Sequence, residues 1–108
     1  DGVHFPQDLA LSGAGAAKAA GFFVTVAAHD GPALIAAKQM QADAALLSPV
    51  FATASHPDAT ALGVNRFTAL VRKSGVPVYA LGGVSTSTVE QLRHSGAIGI
   101  AAVGAFSV

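Results

Sequence analysis

The sequence predicts an α/β fold of parallel (β/α) units, the later five strands of a (β/α)8 barrel, incomplete as given. Three observations lead there. Short apolar runs begin near residues 2, 22, 44, 77 and 98 with helix-like stretches between them, so five strands and four helices alternate strictly. Apolar strands joined through helices pair in parallel and bury both faces, with right-handed crossovers. The chain also starts one residue before a strand, without methionine, and stops shortly after another, where a free-standing doubly wound sheet would normally cover its last strand with a helix. The expectation is one partial domain over residues 1–108, cut at both ends.

The elements follow in order. Asp1 to Phe5 reads as a short strand broken by Pro6-Gln7-Asp8. The Ala-rich stretch from about Leu9 to Ala20 reads as helix, although Gly13 and Gly15 each weaken it by about 1 kcal/mol relative to alanine. Gly21 stops it. Phe22 to Ala27 is rich in β-branched and aromatic residues and reads as strand. Asp30 caps the next helix, Pro32 sits in its first turn, and Leu34, Ala37 and Gln41 share one side, flanked by Ile35 and Met40. Ala44 to Ser48 is a further strand, closed by Pro49. Val50 to Gly63 is the longest irregular stretch, and polar loops of that length inside compact domains tend to be functional. Asn65 then caps a helix with Phe67, Leu70 and Val71 at helical spacing, ended by Ser74-Gly75. Pro77 to Leu81 is a strand running into Gly82-Gly83. A helix of roughly two to three turns follows, with Ser87 and Glu90 spaced as a capping box and Val89 and Leu92 facing inward. Ile98 to Val103, ended by Gly104, is the fifth strand.

Composition narrows the function classes. Hydrophobic residues make up 52% and charged residues 11%, so most of the chain is built for burial. Six basic residues balance six acidic ones, which gives no bulk-charge argument for nucleic acid or an anionic membrane. The absence of cysteine removes disulfides, thiolate nucleophiles and cysteine zinc sites. No apolar run reaches the roughly 18 residues of a membrane span and no signal peptide is visible, so a soluble cytoplasmic protein is expected.

Parallel β/α units place ligand chemistry at the carboxyl ends of their strands. Gln7, Asp8, His4, His29, Asp30, Thr53, Ser55 and His56 all fall there. The glycine-ended strands let backbone amides approach a ligand, and loops after the last two barrel strands commonly bind phosphate; Gly82, Gly83, Val103 and Gly104 are expected to form such a pocket. Thr53, Ser55 and His56 form a hydroxyl and imidazole group able to donate to phosphate oxygens or to a departing pyrophosphate. His4 and His29 read equally as loop-anchoring residues, and Asp30 as a cap. Zinc on His4, His29, His56 and Asp8 lacks any short-range ligand spacing. His94 sits late in a helix, where its interaction with the dipole suffices.

Five segments carry a resemblance: DGVHFPQD, VTVAAHD, QADAALLSPVFATASHP, PVYALGGV and GAIGIAAVGAF. Together they resemble the thiamine-phosphate synthase/TenI family over nearly all 108 residues. The resemblance implies strands four to eight of a (β/α)8 barrel. It implies a transferase of thiamine biosynthesis that couples hydroxymethylpyrimidine diphosphate to a thiazole phosphate with Mg2+, releasing pyrophosphate. The TenI relatives instead aromatise the thiazole phosphate. By the same resemblance Asp8 is the Mg2+ ligand and Thr53 and Ser55 contact the diphosphate or the thiazole side. Gly83, Val103 and Gly104 surround the thiazole phosphate. Three positions depart from the family pattern: Ala27 stands for a serine that meets pyrophosphate, His56 for a lysine, and Gly104 for a serine. The second change exchanges a permanent cation for a group that titrates near neutrality. The family's first three strands, with its other metal segment, and its final helix are not in this sequence, so the chain by itself is expected to lack a complete active site.

Three readings are open on these residues: a divergent synthase, a thiazole tautomerase, and a catalytically silent phosphate-ligand binder. The expected partners are small phosphorylated thiazole and pyrimidine substrates, with no nucleic acid and no membrane. Strand edges at 2–5 and 98–103 would be left open, which implies self-association or pairing with a missing N-terminal half.

Overall fold

A computed structural model describes residues 2–7, 10–52 and 60–101. The elements are β1 (Gly2–Phe5), α1 (Ala10–Ala19), β2 (Phe23–Ala28), α2 (Gly31–Gln39), β3 (Ala44–Leu47), α3 (Gly63–Ser74), β4 (Val78–Leu81), a 3-10 turn (Val89–Leu92) and β5 (Gly99–Ala101). All five strands are parallel, in the order β1-β2-β3-β4-β5. A doubly wound sheet reverses its strand order at a switch point. Here each strand lies beside its neighbours in sequence, so the sheet winds in one direction, as barrels do. Among the described residues the sheet is not closed: β1 and β5 are its two edges.

Side chains alternate across the sheet with period two. Val24, Val26 and Ala28 of β2, Leu47 of β3 and Val78 and Ala80 of β4 are buried, and they form the core with Leu34 and Ala37 of α2 and Phe67 of α3. Right-handed crossovers in a sheet of sequential order place the helices on that one face. The opposite face carries Phe23, Thr25, Ala27, Tyr79 and Leu81, none of them buried, and Phe23 is 54% exposed. Both edge strands bring a glycine under an aromatic ring of the next strand. A Cβ on Gly2 would touch the Phe23 side chain at 3.7 Å, and one on Gly99 would sit 2.8 Å from the Tyr79 ring. Rings laid over strand glycines in this way restore the packing that the missing side chains give up.

Local sequence explains most element ends. Asp30 is the N-cap of α2, its carboxylate accepting from the Ala33 amide at 2.9 Å, and Pro32 lies in the first turn. Gly21 and Gly75 follow α1 and α3 at φ 89° and 68°, the left-handed conformation that ends helices and suits glycine. Gly13 has a packing reason within α1: a Cβ there would enter the Phe5 ring, so glycine lets β1 and α1 close on each other. At the other end of the sheet, Asp43 accepts from the Val24 amide at 2.6 Å and pairs with Lys18 at 2.9 Å, tying α1, β2 and β3 together.

Several sequence expectations are corrected. The stretch after Gly83 is no helix of two to three turns but the 3-10 turn Val89–Leu92. Its hydroxyls explain this: Ser85, Ser87 and Thr88 bond to one another and to nearby backbone, in competition with helix. No Ser87–Glu90 capping box forms; Glu90 pairs instead with Arg93 at 3.0 Å on the surface. His94 consequently lies in a turn with no α-helix dipole behind it. Asn65 is not the cap of α3, which begins at Gly63. Backbone carbonyls of Pro49 and Val50 receive the Leu62 and Gly63 amides at 2.8 Å each, so the helix start is satisfied from the preceding loop. Gln41 leaves the α2 stripe for a turn at φ 58°. Among the described residues no helix is long and apolar enough to cross a membrane.

Candidate functional site

Parallel pairing brings the carboxyl ends of the strands to one rim. The register aligns Phe5 with Val26, Ala28 with Leu47, Leu47 with Ala80 and Leu81 with Ala101. The segments leaving these ends are Gln7 after β1, His29-Asp30 after β2, Ser48 to Ala52 after β3 and Gly82-Gly83 after β4.

Hydrogen bonds link these segments one to the next. The Gln7 side-chain oxygen accepts from the His29 amide at 2.8 Å. His29 Nδ1 lies 3.0 Å from the Ser48 carbonyl oxygen, which can only accept, so the tautomer satisfying this contact carries its proton on Nδ1. Ser48 Oγ is 3.3 Å from the same nitrogen. The Val50 amide donates to Leu81 O and the Phe51 amide to Gly82 O, both at 3.0 Å. The rim is thus one connected band from β1 to β4. His29 anchors it, the plainer of its two sequence readings, while its ring remains exposed. His4 lies inside β1 on the face away from the helices, with Nδ1 2.8 Å from Thr25 Oγ1, a cross-strand contact.

Gly82 and Gly83 stand side by side at this rim with φ 99° and 69°, a region costly for any other residue. A Cβ on Gly82 would lie 2.7 Å from Pro49 Cα, and one on Gly83 would lie 2.7 Å from Phe51 Cβ and 2.8 Å from the Ala52 carbonyl oxygen. Residues 49–52 therefore rest directly on the two glycines. The sequence marks both positions as a ligand pocket; the structure adds a packing reason for the missing side chains, which requires contact between distant segments. The same loop is fastened at its far foot, where the Leu62 and Gly63 amides meet Pro49 O and Val50 O. Thr53, Ser55 and His56 belong to the part of this loop outside the described residues, as do Asp8 after β1 and Val103 and Gly104 after β5.

Ser48 and Thr88 are the rim residues that sequence reading passed over. Thr88 was detectable from its position, three residues after Ser85 in a hydroxyl run that follows Gly-Gly. Among the described residues no group of three His, Asp or Glu side chains is placed to hold a metal ion. Asp30, the described carboxylate at the rim, is engaged with the Ala33 amide. The described side chains therefore do not compose a metal site on their own.

Comparison with known proteins gives a consistent picture. A family model described as thiamine monophosphate synthase matches residues 1–106. A putative thiamine-phosphate synthase 2 of Aquifex aeolicus is 34% identical over 106 residues, covering 98% of this chain and 57% of that protein. A thiamine-phosphate synthase of Coprothermobacter proteolyticus is 34% identical over 106 residues, covering 97% of this chain and 50% of the relative. Among solved structures, a thiamine phosphate pyrophosphorylase from Pyrococcus furiosus superposes with a TM-score of 0.74 at 23% identity, over 95% of this chain and 48% of that one. That last likeness is one of fold. The chain spans about half the length of the curated relatives it matches.

Proposed function

The chain belongs to the thiamine monophosphate synthase family, and from that premise we propose that it works in thiamine biosynthesis as a transferase of the thiamine-phosphate synthase type. In the proposed reaction the carbon–oxygen bond of hydroxymethylpyrimidine diphosphate breaks and pyrophosphate leaves with the bonding electrons. The ring nitrogen of a thiazole phosphate then forms the new carbon–nitrogen bond. Backbone amides at Gly82, Gly83, Val103 and Gly104 hold the thiazole phosphate, and Thr53, Ser55 and His56 donate hydrogen bonds to the charge developing on the departing pyrophosphate. Mg2+, with Asp8 as a ligand, enters this reading from the family resemblance alone, and no step above is routed through it.

The single observation supporting this reading is the joining of Gly82-Gly83 to the foot of the Thr53–His56 loop, through Phe51 N to Gly82 O at 3.0 Å. That bond fastens Gly82 to Phe51, two positions ahead of Thr53 in the sequence, at the carboxyl rim, where barrels of this kind do their chemistry. Residues 1–108 are read as one partial barrel domain, cytoplasmic, that associates with a second copy or with the polypeptide supplying further strands. Among the described residues the edges β1 and β5 are unpaired and one sheet face is uncovered, which supports that association.

Ala27 favours a second reading. It stands on the face away from the helices where the family pattern has the serine that meets pyrophosphate. A tautomerase acting on thiazole phosphate needs no such contact. The test is an assay of the full-length protein with both substrates and Mg2+, following thiamine phosphate and pyrophosphate together. Release of both supports the synthase. Aromatisation of the thiazole phosphate without pyrophosphate release supports the tautomerase. Binding of thiazole phosphate with neither turnover ends both readings and leaves a silent ligand binder.

A further inference from the structure

His29 is held from both sides and still faces solvent. Its backbone amide donates to Gln7 Oε1 at 2.8 Å, which ties it to the end of β1. Its ring Nδ1 lies 3.0 Å from the Ser48 carbonyl oxygen, at the end of β3. Ser48 Oγ, 3.3 Å from the same nitrogen, would donate to it only if Nδ1 carried no proton. That tautomer would set the nitrogen lone pair against the nearer carbonyl oxygen, which can only accept. The proton therefore sits on Nδ1, with Ser48 Oγ as a second, longer acceptor.

Anchoring the rim uses Nδ1 alone. In the neutral ring, a proton fixed there leaves Nε2 as an acceptor with no hydrogen to give. Nε2 stands across the ring from the Ser48 contact, and among the described residues no hydrogen bond reaches it. Its neighbours are already engaged, the His29 amide with Gln7 and the Asp30 carboxylate with the Ala33 amide. An unprotonated Nε2 repels a phosphate oxygen. What it recognises is an N–H or O–H group on a ligand.

Of the two substrates proposed above, the thiazole phosphate carries no N–H donor, whereas the pyrimidine carries an exocyclic amine. That amine and the carbon bearing the diphosphate sit on adjacent ring atoms. The loop proposed to meet the diphosphate leaves β3 at Ser48, and β2 pairs directly with β3 through Ala28 and Leu47. His29 thus stands one strand away from the start of that loop, about 4.8 Å, a span that the two substituents of one ring can bridge.

We propose that His29 determines specificity at this site, its Nε2 accepting a hydrogen bond from the amine of an aminopyrimidine whose diphosphate lies against the loop after β3. The proposal rests on the reading of that loop as the diphosphate site.

Calorimetric titration of the full-length protein with Mg2+ present tests it. The probes are hydroxymethylpyrimidine diphosphate, its analogue lacking the amine, and inorganic pyrophosphate. The wild type should bind the amine-bearing compound roughly three- to tenfold more tightly than the analogue, the usual worth of one hydrogen bond. His29→Asn keeps an N–H donor close to the place of Nδ1 and removes the far nitrogen. It should erase that difference and leave pyrophosphate affinity unchanged. A His29→Asn variant that keeps the full preference, or a wild type with none, overturns the role of His29 while leaving the diphosphate site standing. Failure of the wild type to bind any of the three probes overturns the site reading, and this proposal with it. Should the asparagine variant not fold, the His29 Nε2 nitrogen signal of the wild type decides. It should move with the amine-bearing compound beyond its response to the analogue, and an equal response to both sinks the proposal.

Discussion

Gly83→Ala places a methyl group 2.7 Å from Phe51 Cβ and 2.8 Å from the Ala52 carbonyl oxygen, on a backbone held at φ 69°. Neither obstacle is the free end of a flexible side chain, so relief requires moving the loop off the strand end. The left-handed conformation costs a non-glycine residue about 1–2 kcal/mol and the overpacking about 1–3 kcal/mol, for a loss of about 2–5 kcal/mol. With a urea slope of about 2 kcal/mol per molar, this lowers the midpoint by about 1–2.5 M. Gly15→Ala is the matched control. A Cβ there meets nothing within 4 Å, and the position lies inside α1. Alanine should raise stability there by up to about 1 kcal/mol through helix propensity. A Gly83→Ala midpoint within about 0.3 M of wild type, about 0.6 kcal/mol on that slope, would refute the reasoning that loop contact dictates glycine at this rim.

Three further outcomes are expected. Phe67→Ala, at a side chain with 0% exposure between α3 and the sheet, should cost about 3–5 kcal/mol in the same unfolding experiment. Asp30→Ala removes the acceptor for Ala33 N and should cost about 1 kcal/mol, with earlier hydrogen exchange in the first turn of α2. The Val24 amide and then Lys18 hold the Asp43 carboxyl below its ordinary range. A lowered folded-state pKa gives stability that is fully present above the unfolded value and is lost as pH falls through the folded one. Asp43→Asn should therefore flatten the decline of stability below about pH 4, measured by thermal unfolding across that range.

What the sequence could reveal tracks how far apart the interacting residues lie. Asp30 and Pro32 announced the start of α2 because the cap and the amide it serves are three residues apart. Asn65 misled because the carbonyls that satisfy the start of α3 come from Pro49 and Val50, across the whole loop. The helix expected after Gly83 failed through short-range competition: Ser85, Ser87 and Thr88 have better local partners than a helix offers them. All five strands were readable from apolar runs and their parallel pairing was expected from alternation, but only the sheet order distinguishes one-way winding from a doubly wound arrangement. At the rim, Gly82 and Gly83 stood out as glycines. The contact with Pro49, Phe51 and Ala52 that excludes a side chain there is invisible without the fold.

The one-way strand order also bears on how the chain reaches its native state. Partners in successive strand pairs lie 21 positions apart at Gly2↔Phe23, 19 at Thr25↔Ala44, 33 at Ala45↔Val78 and 20 at Tyr79↔Gly99. Among the described strand pairs, none has to wait for residues from the opposite end of residues 1–108. Closing the longest of these spans instead of a 20-residue one costs only about 0.4 kcal/mol more, about a factor of two in probability. A ribosome releasing this chain would thus hand over one finished neighbour contact after another, with the junction between β3 and β4 the slowest to close.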